Sequence, residues 1–260
     1  MPVIPSQVER CPDISEAAKH AATSPEMTKE LFPALEVHVD TLPHSAALNM
    51  AIDEALLDHA IVPSIRFYRW HSPALSFGYF GRFSDVAAYA PQRDLVRRWT
   101  GGGIVFHGDD LTYSIVIPAN HTAFAESSAS IYDKVHRALA SAFIAIGKRA
   151  VVAGGMNADG ITVGMRVGIS AGYSCFANPV RADVLINDRK VAGAAQRRTA
   201  RGLLQQGSIQ GFDIGNGLAD RFAEQLSHNC EQRRLPEAVQ CRALEIATRK
   251  YRTDAWLRKR

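Results

Sequence analysis

Strand-like runs come in groups in this sequence, and that grouping constrains its fold more than any other feature. "LEVHVD" (35–40) alternates apolar and polar residues, the period of a half-buried strand. "SIRFYRW" and "ALSFGYF" are strand-like and separated by the turn signal "HSP"; "LVRRWT" and "LTYSIVIP" follow with a glycine loop between them. "ADVLIND", "KVAGAAQRR" and "GLLQQGSIQ" form a later group. Two long helices are expected before the C-terminal segment. One is "HSAALNMAIDEALLDHA" (44–60), with Leu48, Ile52, Ala55 and Leu56 on one face. The other spans 127–147, with a serine cap, a stripe of Ile131, Val135, Leu139 and Phe143, and Gly147 past its end. "LADRFAEQLSH" and "PEAVQCRALEIATRKY" read as closing helices. Seven or eight strands without β–α alternation predict an α+β fold, a mixed or antiparallel sheet with helices packed on one face.

Residues 1–34 lack periodicity and read as a poorly ordered arm, followed by one domain over 35–260 with a basic helical C-terminal segment. No apolar run approaches the roughly 18 residues of a membrane span, and the N-terminus has no secretory pattern. A cytoplasmic monomer with no membrane partner is expected. The four cysteines, Cys11, Cys175, Cys230 and Cys241, then read as reduced thiols. None forms a CxxC pair or a zinc spacing, so no metal is expected. The net charge of +4 is uneven, with nine Lys/Arg against three Asp/Glu from Gln232 to Arg260. A nucleic-acid reader carries its excess charge on a folded face, so no nucleic-acid partner is expected. The basic segment reads as a solvated helix or as a dock for an acidic protein.

Three stretches can carry chemistry. In "RRWTGGGIVFHGDD" (97–110), three glycines without Cβ atoms let the backbone approach a ligand, and their N–H groups can form an anion or carbonyl site. Arg97 and Arg98 lie beside them. The stretch is neither a dinucleotide fingerprint nor a P-loop, and a plain turn is the alternative. Lys190 precedes the small residues "VAGAA"; it is either a solvated edge charge or a cation placed to polarise a carbonyl or stabilise a thiolate. Cys175, in "GYSCFANP", is either a packed thiol or a nucleophile needing such a cation.

Taken together, "NMAIDEALL", "RRWTGGGIVFHGDDLTYSIVIP" and "CFANPVRADVLINDRKVAGAAQRRTARGLLQQGSI" resemble, in order and spacing, the lipoate–protein ligase and octanoyltransferase family, whose catalytic domain is shared with biotin–protein ligases. The resemblance covers roughly residues 35 to 228. It is strongest to the cysteine-dependent octanoyltransferases, because Cys175 and Lys190 stand 15 residues apart and "HGDDLTYS" matches their "H…LTYS" strand. The resemblance implies a thioester on Cys175, with Lys190 lowering the thiol pKa and gripping the acyl carbonyl. It implies an acyl tunnel and substrate contacts at Arg98, Thr100, Gly101, Gly102, Gly103, His107, Gly193 and Ala195. The donor would be octanoyl–acyl carrier protein. The acceptor would be a lysine of a lipoyl-domain protein, such as the glycine cleavage H protein or the E2 of a 2-oxoacid dehydrogenase. No cofactor would be required. Two alternatives share the fold: an ATP-dependent lipoate ligase acting through lipoyl-AMP with magnesium, suggested by the third glycine, and an octanoyl amidotransferase between lipoyl domains, suggested by "AGAAQRR". A non-catalytic carrier-binding protein is a further class.

Overall fold

The computed structural model describes residues 30–154, 180–211 and 217–259. Strands in chain order are β1 (Leu35–Val39), β2 (Ser64–Tyr68), β3 (Ala74–Phe77), β4 (Asp94–Arg97), β5 (Ile104–His107) and β6 (Leu111–Pro118). They continue as β7 (Ala150–Val152), β8 (Val184–Ile186), β9 (Arg189–Thr199), β10 (Gly202–Ile209) and β11 (Cys230–Gln232). The helices are α1 (Ala46–His59), α2 (Ser128–Ala145), α3 (Leu218–Leu226), α4 (Glu237–Ile246) and α5 (Asp254–Leu257), with a π-helical turn at Ala247–Tyr251. Among the described residues, the main sheet runs in the order β11-β1-β2-β6-β10-β9-β8-β7, and a small sheet runs β4-β3-β5. The pairs β11–β1, β1–β2 and β3–β4 are parallel and the others antiparallel.

The class is α+β with a mixed sheet, as the grouped strands predict. The helices, however, cover both faces rather than one. The reason lies in β6 and β10, where every residue is buried. A strand buried on both sides needs cover on both sides. Tyr113, Ile115, Ile117 and Leu203 pack with α2 and α3, whereas Val116 and Leu204 pack with α1 and α4. Because α1 lies between the sheet and α4, its apolar surface extends beyond one stripe, and Met50, Ala51 and Leu57 are buried as well.

Local signals set the helix ends. Ser45 caps α1 by accepting from the Leu48 amide, and Ser127 caps α2 by accepting from the Ser130 amide. Gly147, at φ 79°, ends α2 in the left-handed conformation. The strands β5, β7 and β11 were not expected; each is only three or four residues long. Phe32, inside the expected N-terminal arm, is buried in the core beside Leu226 of α3.

The basic C-terminal segment is helical and exposes most of its charges, while its apolar residues Val239, Ala243, Ile246 and Tyr251 pack in the core. The buried Arg97 donates to the carbonyls of Trp256, Leu257 and Lys259, and to those of Tyr79 and Gly81. Arg97 therefore ties the chain end to the small sheet, while its neighbour Arg98 turns the other way. No helix is long and apolar enough to cross a membrane among the described residues.

Candidate active site

On β9, Lys190 folds back along its own strand. A Cβ at Gly193 would lie 2.6 Å from the Lys190 Cε and 2.7 Å from its Nζ. Position 193 is a glycine because the lysine's end occupies that space. The amine sits 2.8 Å from Asp183 Oδ2; the Lys190 side chain is 6% exposed and Asp183 not at all. Asp183 also accepts from the Tyr132 hydroxyl at 2.8 Å and from the Val180 amide at 2.7 Å. Burial and the Asp183 charge push the Tyr132 hydroxyl far above its ordinary range, so it stays protonated and donates to the carboxylate. The Ala194 amide donates back to the Tyr132 oxygen at 3.1 Å. Asp183, a partner of the lysine, is thus kept in place by α2 and β9 together.

The opposite wall is the glycine loop. A Cβ at Gly78 would lie 2.0 Å from the Gly102 carbonyl oxygen, so the loop lies directly against backbone at the end of β3. Gly102 itself has φ 85°, which side chains disfavour. Arg98 donates to the carbonyls of Gly101 and Gly103 and, at 2.7 Å, to the Ser76 hydroxyl. Ser76 Oγ is 2.7 Å from His107 Nε2, and His107 Nδ1 is 2.8 Å from Asp110 Oδ2. Burial pushes the His107 pKa down, so the ring is neutral. Asp110 is buried too, but the His107 bond and the Gly108 and Ser208 donors outweigh burial and keep its pKa below the ordinary value. An ionised Asp110 accepts only, which places the proton on His107 Nδ1 and lets Nε2 accept from Ser76. Trp70 stacks on the His107 ring at 3.9 Å.

Beneath the loop, Thr100 donates to Gln206, and Gln206 donates to Asp53 of α1 at 2.7 Å. Asp53 also accepts from Arg66, Tyr68 and Ser114. This buried network places the glycine loop on the sheet. Between the two walls lies a cleft with about 490 Å³ of empty volume, its open mouth included, and a largely apolar lining to which Met50, Tyr68, Trp70 and Val105 contribute. Sheet register sets its floor, because Gly193, Ser208, Thr112 and Tyr68 stand side by side across β9, β10, β6 and β2.

Of the residues singled out in the sequence, Lys190, Arg98, Gly102, His107, Gly193 and Ala195 meet in this cleft. Thr100, Gly101 and Gly103 hold the loop and Arg98 through the bonds just described. Cys175 lies outside the described residues. The sequence reading missed Asp183, Tyr132, Ser76, Asp110, Gln206 and Gly78. Asp183, in "RADVLINDRK", and Asp110, in "HGDD", were visible as acids beside a lysine and a histidine. Nothing local marks Ser76, Gln206 or Tyr132, which join the site only through strand pairing and α2.

The sequence matches the lipoyl protein ligase A/B catalytic domain family over residues 45–234. It is 36% identical over 201 residues to octanoyltransferase LipM of Oceanobacillus iheyensis, covering 72% of this chain and 70% of that protein. It is 32% identical over 213 residues to octanoyltransferase LipM of Halalkalibacterium halodurans, covering 76% of each. Among solved structures, lipoate-protein ligase A bound with ATP superposes with a TM-score of 0.64 at 18% identity, over 87% of this chain and 98% of that one. A bi-partite lipoate protein ligase from Thermoplasma acidophilum superposes with a TM-score of 0.63 at 19% identity, over 87% and 96%. These two likenesses concern the fold. Sequence match, fold and glycine-loop site agree, and the chain belongs to the lipoyl protein ligase A/B catalytic domain family.

Proposed function

We propose that the protein is an octanoyltransferase of protein lipoylation that carries the acyl group on Cys175. The observation that carries this reading is Lys190, a cation held against glycine backbone at one end of a largely apolar cleft, in a chain whose relatives bear the name octanoyltransferase. The Cys175 thiolate attacks the carbonyl of an octanoyl thioester on acyl carrier protein. The new C–S bond forms, the carrier's C–S bond breaks, and the carrier leaves as a thiolate that takes up a proton. The Lys190 ammonium favours the Cys175 thiolate and stabilises charge on the acyl oxygen. A lysine amine of a lipoyl-domain protein then attacks the acyl-enzyme. An amide forms, the amine loses a proton, and Cys175 is released as the thiol.

A thioester is already activated, so this route needs neither ATP nor a metal. Glycine cleavage H protein and the E2 of 2-oxoacid dehydrogenases are the acceptors to try first, and cytoplasm is the compartment where such partners meet the enzyme. Incubation with octanoyl–acyl carrier protein should add one octanoyl mass to the protein, and Cys175→Ala should abolish it. Retained activity in Cys175→Ala with strict ATP dependence would instead establish the adenylate route of a ligase.

A further inference from the structure

The acyl chain and Lys190 account for the cleft but not for the cations beside it. Arg197 stands two residues beyond Ala195 on β9 and shares its face of the strand. Its guanidinium lies 5.2 Å from the ring centres of Tyr79 and of Trp99. Its Nε is buried without a hydrogen-bond partner. Lys259 donates to the Tyr79 hydroxyl at 2.7 Å. Lys250 lies over Trp99 and Trp256 at 4.6 and 4.2 Å while bonding Glu54. Glu54 thus answers Lys250. Among the described residues, no carboxylate lies within ion-pairing distance of Arg197 or Lys259. The Tyr79 phenol is held below its ordinary pKa by the Lys259 bond and by the charges of Lys259, Arg197 and Lys250, which marks the surface as strongly positive.

This surface adjoins the cleft. Trp99 leads into the glycine loop, and the Tyr79 amide donates to the Thr100 carbonyl. A buried guanidinium N–H without an acceptor is unfavourable, so its place beside a substrate cleft argues for an anionic acceptor brought by the substrate. We infer that Arg197 and Lys259, with Lys250 behind them, hold the phosphate of the phosphopantetheine arm that carries the acyl donor. The inference rests on the thioester reading above. The Lys190 amine lies over Gly193, and four residues of extended strand, about 13 Å, separate Gly193 from Arg197. An extended pantetheine arm is longer than this, so the thioester reaches Lys190 while the phosphate reaches Arg197. The acyl chain leaves in a different direction, across the strands past Ser208 and Thr112 toward Tyr68. The acceptor lysine carries no phosphate, and the surface is therefore assigned to the donor.

The test is the rate of acyl-enzyme formation from four donors: octanoyl–acyl carrier protein, octanoyl–coenzyme A, octanoyl-4′-phosphopantetheine and octanoyl-pantetheine. Lys259→Gln, on an exposed side chain, and Arg197→Gln should each raise KM about tenfold for the three phosphate donors, the loss of one charge-assisted contact. Neither should change KM for octanoyl-pantetheine or the transfer from preloaded enzyme to a lipoyl domain. Equal losses with and without phosphate would overturn the inference, as would a loss confined to the carrier protein or to the acceptor step. Unchanged KM for every donor would overturn it while leaving the thioester reading intact. Failure of the unsubstituted enzyme to accept any donor would remove both.

Discussion

Two cations reach the cleft from opposite walls and are held in different ways. Lys190, on the strand wall, pairs with a buried carboxylate, Asp183, and uses the space left by the missing side chain at Gly193. Arg98, on the loop wall, spreads its bonds over two glycine carbonyls and the Ser76 hydroxyl, and is linked to Asp110 through Ser76 and His107. A lysine is a point charge on a flexible stem, whereas an arginine is a planar fork that several fixed acceptors can share. The strand wall should therefore fail at single points, and the loop wall should yield gradually.

The largest effect should come from Asp183→Asn, which removes a buried charge 2.8 Å from the Lys190 amine, whose side chain is 6% exposed. Breaking a buried pair on one side costs about 3–5 kcal/mol. Thermal unfolding should fall by roughly 10 °C, and acyl-enzyme formation should slow. If both are unchanged, Asp183 does not hold the lysine and the contrast collapses.

Acid should weaken the strand wall next. His136 of α2 donates to the Ala182 carbonyl, beside Asp183, and accepts from the Tyr113 hydroxyl. Burial lowers its pKa to about 4, against the opposing Ala182 bond. The unfolded chain takes up the proton near 6.5, the folded one only near 4. The contribution of His136 is thus complete above pH 6.5 and is lost as pH falls toward 4, by about 3 kcal/mol. Denaturant unfolding at pH 7.5 and pH 5 should show the fall, and His136→Gln should reduce it. A fall that persists in full in His136→Gln would come from other histidines whose pKa burial also lowers, His107 of the loop wall, His38 and His121, and not from the strand wall.

Gly193→Ala should cost about 100-fold in acyl-enzyme formation, the penalty of displacing a catalytic group by about 1 Å. Stability should change less than in Asp183→Asn, because the amine can swing outward; the two readouts measured together separate these cases. Ser76→Ala should be mildest, near 1 kcal/mol in stability, since Arg98 keeps both carbonyls. A loss as large as that of Asp183→Asn would show that the loop wall is no more distributed than the strand wall.

Much of this was legible in the residues. The alternation in "LEVHVD", the serine caps at Ser45 and Ser127 and the glycine after α2 marked their elements, because those signals act within a few residues. Lys190, Arg98, His107 and Gly193 were visible because their chemistry or lack of a side chain is unusual in a strand or loop. Gly78 was not, since its need for no Cβ comes from Gly102, a residue 24 positions away that strand pairing brings to it. The expectation of a one-faced sheet failed for a related reason. "LTYSIVIP" shows a buried strand, but only the partners on each face show that α1 covers one side and α2 the other.

The sequence by itself determined the longer elements and their order, the family and the chemical groups available at the site. Tertiary structure alone decided which of two adjacent arginines serves the cleft. Arg97 and Arg98 are the same residue type in the same motif, yet side chains alternate across a strand end. One guanidinium therefore faces the carbonyls of the C-terminal segment, and the other faces Ser76 and the glycine loop.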